Sequence, residues 1–420
     1  MERYNAIVVG GGFAGVAAAI SAARAGLKVL LVEKNAALGG AAANNLVNPF
    51  MPNATQLAAN EKNERFELSQ GLFAEIKQRL AEAGAIDGRG AVFHEEYLKL
   101  VLNRMAVEAG VQLLFHAPLV NASVEGGKVA AIIVASKCGL MELAADYFVD
   151  ATGDADLAHF GGFPTRLGRE QDNLCQPMTL CFRVGNVDMA KFEAAWHTIN
   201  EKYKKLQAEG KIKNIREDVL VFRNLCNGVL HFNSTRIVRR NPVDVFDITM
   251  AEVEAREQVF ELYRFLKENI DGFQNADLLF TAPEIGVRES RMIDGEYVLT
   301  GADLVACMRF DDSIALGNYD IDIHNPEGSG TSHYYFPEGQ YYTIPYRALI
   351  PKGSQNLLVA GRCISTDHEA QASVRIMPIV CCMGEAAGTA LGLASQANET
   401  VGKIDVAVLQ KRLKEQGAVL

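Results

Sequence analysis

Positive charge is in short supply in this chain: 41 Lys and Arg stand against 51 Asp and Glu, a net charge of −10 over 420 residues. A nucleic-acid partner needs a basic footprint, so none is expected. Long apolar runs are missing as well. Nothing reaches the roughly 18 consecutive apolar residues of a transmembrane helix, and no membrane span is expected. The eight cysteines form neither a CxxC pair nor a metal-ligand spacing. No metal site is therefore expected, and a reduced, cytoplasmic protein is the simplest account. Met1 to Asn5 leave no room for a signal peptide before the first apolar stretch. Internal repeats and low-complexity segments are absent too.

What is present starts at Ala6-Ile7-Val8-Val9, followed by Gly10-Gly11-Gly12-Phe13-Ala14-Gly15 and, after a helix over 13–25, by Val29-Leu30-Leu31-Val32-Glu33. Strand, glycine turn, helix, strand and acidic residue in that order build half of a dinucleotide cradle. Gly10 permits the tight turn, Gly12 lets the backbone approach a pyrophosphate, and Gly15 lets the helix lie close on the strand. The helix start offers unpaired amides and its positive dipole end to phosphate. Glu33 stands where a carboxylate takes a ribose hydroxyl, which suits NAD and FAD alike.

The rest of the chain alternates in the manner of an α/β protein. Helices are expected over 60–83 and 94–109, a parallel strand over 111–115, and short strands over 117–124, 129–136 and 141–145. The turn Glu125-Gly126-Gly127-Lys128 makes a hairpin of the first two. Tyr147 to Asp154 return to the cradle. From about residue 156 the pattern changes to strands over 179–184, 219–222 and 229–232. Helical stretches accompany them, one over 191–209 carrying the only tryptophan, Trp196. A second follows Pro242 and has Phe246, Met250, Val253, Phe260, Tyr263 and Leu266 on one side. A buried strand over 356–362, a small-residue helix over 378–394 and a polar helix over 405–416 complete the chain. The expected architecture is a discontinuous Rossmann-like cradle domain, 1–155 and 341–420, with an inserted α+β substrate domain, 156–340.

A chain that leaves its cradle and comes back twice, at Asp150 to Asp156 and at Val359 to Arg362, is similar to FAD-binding oxidoreductases of the glutathione-reductase-type fold. Further motifs narrow the likeness: Gly39-Gly40 with Val47-Asn48-Pro49-Phe50-Met51, Asp150-Ala151-Thr152-Gly153-Asp154-Ala155-Asp156, and Ile285-Gly286-Val287-Arg288-Glu289-Ser290-Arg291 with Gly295-Glu296-Tyr297. Tyr319 to His324, Ile344-Pro345-Tyr346-Arg347, and the stretch from Ala360-Gly361-Arg362 through His368, Arg375 and Met377-Pro378 to Gly388 add to it. Jointly they resemble the FAD-dependent oxidoreductase family over nearly the whole chain. The resemblance implies noncovalent FAD. Its contacts would be Gly10, Gly12, Phe13, Ala14, Gly15, Glu33 and Lys34, then Gly39, Gly40 and Ala41, Ala151, Thr152 and Gly153, and finally Gly361, Arg362 and Met377. Ala42-Ala43 depart from the hydroxyl residues of many relatives.

The implied activity is hydride transfer between a small polar metabolite and flavin N5. The alternatives are a flavin-dependent reductase or dehydrogenase of carbon–carbon double bonds and an FAD-binding electron-transfer subunit. A flavin disulfide reductase is not expected, because no cysteine precedes Cys138. No second GxGxxG marks a nicotinamide site, which leaves the electron acceptor or donor unspecified. Candidate substrate groups are Arg288, His324, Tyr346, Arg347, His368 and Arg375. His324 and Arg288 come first: a histidine takes a hydroxyl proton as hydride leaves, and an arginine holds a carboxylate or polarised carbonyl. The bland reading pairs Arg288 and Arg291 with Glu289 and Glu296, and makes His324 a satisfied turn histidine and His368 a helix-start residue.

Overall fold

The computed structural model describes residues 3–56 and 65–420. The chain opens with β1 (Tyr4–Val9), α1 (Phe13–Arg24) and β2 (Val29–Val32). Next come α2 (Leu72–Glu82), α3 (Glu95–Glu108), β3 (Gln112–Leu114) and a meander of β4 (Leu119–Glu125), β5 (Lys128–Ser136) and β6 (Gly139–Asp150). The middle holds β7 (Phe182–Gly185), β8 (Val221–Arg223), β9 (Leu230–Phe232), α4 (Val245–Asn269) and β10 (Asp277–Thr281). A hairpin of β11 (Ile321–His324) and β12 (Thr331–Tyr334) precedes β13 (Leu357–Val359) and α5 (Met377–Ala397).

The main sheet runs in the order β3-β2-β1-β6-β5-β4, with β13 also on β6. β1, β2 and β13 are apolar and almost entirely buried, as central parallel strands must be when both faces are covered. β6 has two jobs. Its exposed first half pairs antiparallel with β5, and its buried second half runs parallel to β1 and β13, with Val149 beside both Val8 and Leu358. The strands therefore deliver Gly10, Ala151 and Ala360 to one edge of the sheet, where ligands of open α/β sheets bind.

On one face α1 and α5 lie in close contact. A Cβ on Gly384 would come within 2.0 Å of the Ala14 carbonyl oxygen, and one on Gly388 within 2.1 Å of that of Ala18. By length and composition α5 could cross a membrane, but 89% of its apolar window is buried in the protein. A second sheet, β8-β9-β7-β10, is antiparallel. Its apolar cluster draws on residues between Met178 and Ile285 together with Leu46, whereas buried side chains from Leu299 to Ile350 join the core around α1 and α5.

Several local expectations change. Of the helix expected over 60–83, residues 60–64 lie outside the described residues, Arg65–Glu67 forms a strand with Ala54–Gln56, and helix begins only after Gly71, at φ +60°. The helix over 191–209 is broken into Met189–Ala195 and Ile199–Ala208, where the Thr198 hydroxyl donates back to the Ala195 carbonyl at 2.8 Å. The apolar face expected for α4 is largely the wrong one. Ala251, Ala255, Val259 and Leu262 are buried, while Phe246, Val253 and Phe260 are 79%, 51% and 59% exposed. The buried face continues through Phe265 and Leu266, so of the expected stripe only Leu266 is fully buried.

Candidate active site

A long slot runs across the strand ends. It is walled by Gly10 to Ala14, by Glu33, Lys34 and Asn35, by Gly39 to Ala41, by Ala151 to Asp154, and by Gly361 and Arg362. Ile285, Val287, Arg375, Met377 and Val380 line it as well. Gly10 has φ +103°, and a Cβ there would meet the Ala151 carbonyl oxygen at 2.3 Å, so both conformation and space require glycine. At Gly12 nothing lies nearer than Gly40 Cα at 3.9 Å. That gap, in front of the uncapped start of α1, is where a phosphate fits.

Glu33 is buried behind this turn. Gly11 N–H donates to its Oε2 (2.6 Å) and Asn35 N–H to its Oε1 (2.8 Å). Burial raises its pKa against the pull of those two donors and of Lys34. Each oxygen keeps a lone pair for a hydroxyl. Asp150, fully buried and pushed up to about 6 by burial, accepts the Thr152 hydroxyl (2.7 Å) and the Thr152 and Ala158 amides, which shapes the turn through Gly153. The Thr152 hydroxyl is thus spent on Asp150 although the residue lines the slot. Arg362 lies over Gly153, donates to Asp154 Oδ1 (2.8 Å), and keeps a buried Nε–H with no acceptor among the described residues. Arg375 Nε–H is in the same position. Buried donors without acceptors are rare in proteins, and two of them on the wall of one slot point to a polar ligand there.

Arg375 also reaches away from the slot, donating to Asp322 Oδ2 at 3.3 Å. Asp322, on β11, accepts the Tyr319 hydroxyl (3.2 Å) and lies 3.3 Å from His324 Nε2. On the other side of the ring, His324 Nδ1 faces Arg236 Nη2 at 3.2 Å and Thr331 Oγ1 at 3.1 Å. A guanidinium only donates, so Nδ1 is the acceptor and the proton sits on Nε2, aimed at Asp322. Arg236 is fixed by the Gly328 and Gly330 carbonyls and by Glu217. Burial, then the nearby Arg288 charge, push His324 down to about 3 against the opposing pull of Asp322. Burial raises Asp322, but the His324 hydrogen bond and the charges of Arg375 and Arg288 outweigh it and hold the carboxyl well below its usual range.

Of the sixteen expected cofactor contacts, fifteen line the slot. Gly15 does not; a Cβ there would run into the Gly10 carbonyl oxygen, so it serves the packing of α1 on the turn. Arg288, His324 and Arg375 gather around Asp322. Tyr346 and Arg347 do not join them: the Tyr346 hydroxyl donates to the Val401 carbonyl inside the core, and Arg347 pairs with Asp312. His368 pairs with buried Glu289 (2.7 Å), and Arg291 with Asp156 rather than with Glu296. Sequence reasoning missed Arg236, Asp322 and Asn45, whose amide donates to the Glu284 and Ile285 carbonyls and ties the cradle loop to the middle region. Arg236 lies in no recognisable motif, and its role arises only from the fold.

Solved structures resemble this chain at low identity. A geranylgeranyl bacteriochlorophyll reductase-like protein from Thermoplasma acidophilum is 13% identical, with 99% of this chain and 84% of that one covered and a TM-score of 0.49. The p-nitrophenol 4-monooxygenase PnpA from Pseudomonas putida DLL-E4 is 11% identical, with coverage of 96% and 83% and a TM-score of 0.50. The flavin-dependent brominase Bmp2 is 11% identical, with coverage of 99% and 83% and a TM-score of 0.45. No curated protein sequence matches. The family model for FAD dependent oxidoreductases, by contrast, matches residues 5–413, from β1 to the last helix. The slot, its unspent arginine donors and that match lead to one conclusion: the chain belongs to the FAD dependent oxidoreductase family and is an enzyme with FAD as its cofactor.

Proposed function

We propose that the protein transfers a hydride between a small polar metabolite and N5 of FAD, on a cradle of the glutathione-reductase type. The observation that carries this reading is Arg375, which stands on the slot wall and is bonded to Asp322 in the polar cluster behind it. Flavin supplies the two-electron chemistry when bound. The glycine turn and the start of α1 hold the pyrophosphate, Glu33 takes a ribose hydroxyl, and Gly153, Gly361, Arg362 and Met377 line the remainder.

In the cluster, Arg288 binds and orients the substrate. Asp322, ionised at ordinary pH, balances the paired arginines and favours positive charge developing beside it. His324 was expected as the base. With both ring nitrogens engaged and its pKa low, we assign it a positioning role: it holds Asp322 against Arg375. The inserted region 156–340 supplies every one of these groups except Arg375. Anaerobic mixing of the holoenzyme with panels of alcohols, sugars and hydroxy acids tests the reading. Bleaching of the flavin supports it; reoxidation of reduced enzyme by unsaturated acids alone favours carbon–carbon double-bond chemistry instead.

A further inference from the structure

We propose that Arg288 is a carboxylate-binding residue and that the substrate is a small carboxylate. This rests on the hydride-transfer reading and narrows its substrate class.

Arg288 is held entirely by neutral groups. Its Nη1 donates to the Pro177 carbonyl (2.7 Å) and the Thr179 hydroxyl (2.5 Å), and its Nη2 lies 3.3 Å from Asn233 Oδ1. No carboxylate of the described residues forms an ion pair with it. The three arginines that surround the same cluster are balanced: Arg216 by Asp218, Arg236 by Glu217, and Arg375 by Asp322. Of these four arginines, Arg288 is the one without an ion pair among the described residues. Burial, reinforced by Arg375 and Arg216, pushes its pKa down to about 9, so it stays charged at neutral pH but poorly compensated. A charge in that state stabilises any anion that reaches it.

The donor count gives the anion its shape. A guanidinium has five N–H donors. Three are spent on Pro177, Thr179 and Asn233. The Nε–H and one Nη2–H have no acceptor among the described residues. Nε and Nη2 share one edge of the guanidinium plane, and with Asn233 on the outer Nη2–H the two donors left on that edge match the two oxygens of a carboxylate. Val287, the adjacent residue, lines the slot, as does Met377.

The test uses FAD-loaded enzyme and follows the flavin spectrum during titration with acetate, glycolate and lactate. Acetamide, ethylene glycol and sulfate serve as matched controls. Saturable perturbation by the carboxylates, little by the neutral compounds, and at least about 30-fold weaker carboxylate binding in Arg288→Gln are expected. Arg288→Lys, which keeps the charge and loses the fork, should fall between the two. FAD content and melting temperature of each variant show whether it is folded; if Arg288→Gln is not, Arg288→Lys decides by the same titration. Equal carboxylate binding in the folded variant and the wild type, or equal binding of acetate and acetamide, overturns the proposal. The two readings fail separately. A neutral alcohol that bleaches the flavin without carboxylate binding removes this proposal and spares hydride transfer. Carboxylates that bind through Arg288 while nothing bleaches the flavin do the reverse.

Discussion

Arg236 Nη2 lies 3.2 Å from His324 Nδ1, and this contact fixes the imidazole as a neutral ring with its proton directed at Asp322. The consequence is a pH profile. Flavin reduction should show no ionisation of His324 between about pH 5.5 and 8, because its pKa lies near 3. His324→Ala should retain FAD and slow reduction by on the order of 10- to 100-fold, the range for loss of a supporting contact. His324→Gln, which can still reach both neighbours, should recover most of that rate. A step near neutrality that vanishes in His324→Gln would show the ring acting as base. Loss of FAD in His324→Ala would make the residue purely structural.

Glu33 ties the glycine turn together through Gly11 and Asn35. Glu33→Gln keeps the size but loses the charge and turns an NH2 towards one of the two backbone donors, so FAD affinity should fall by about 10- to 100-fold or more. Fluorescence of released flavin during dilution measures it. Unchanged affinity would remove Glu33 from the cofactor site.

Gly384→Val should be severe. The added Cβ meets the Ala14 carbonyl oxygen and must push α1 away from α5. A loss of about 3 kcal/mol or more is expected, with FAD loss, since Ala14 also lines the slot. Gly402→Ala, with nothing within 4 Å of the new atom, should leave the melting temperature unchanged. Thermal melts with and without added FAD compare the two.

Glu385 is buried on α5 and accepts the Leu72 amide at 3.0 Å. Burial pushes it up to about 7 from 4.5, against the pull of Leu72 and Arg24. The folded state therefore favours the protonated form. That contribution is complete below about pH 4.5 and is lost as pH rises through 7. It amounts to roughly 1–3 kcal/mol. Melting temperature should fall across this window more steeply in the wild type than in Glu385→Gln. Parallel curves for the two proteins would contradict this.

The cradle was legible because its signals are local. Gly10, Gly12 and Glu33 sit within one strand–helix–strand unit, and the returns at Gly153 and Gly361 each follow an apolar strand. The polar cluster was legible only in part. His324 and Arg288 fell in recognisable motifs, but the partner that sets the tautomer, Arg236, is 88 residues from His324 and meets it only after β11 and β12 pair. The face of α4 was misread because the large side chains Phe246 and Phe260 marked the wrong side, whereas the buried face runs through Ala251, Ala255, Val259, Leu262 and Phe265.

The central claim is that a metabolite hands a hydride to the flavin or takes one from it. The direct measurement is anaerobic stopped-flow reduction of the holoenzyme by whichever metabolite the panel identifies, repeated with deuterium on the carbon that is oxidised. The account predicts bleaching without oxygen, slowed severalfold by the deuterium. Flavin that no metabolite bleaches, with turnover only when oxygen and a reduced nicotinamide are supplied together, would contradict it.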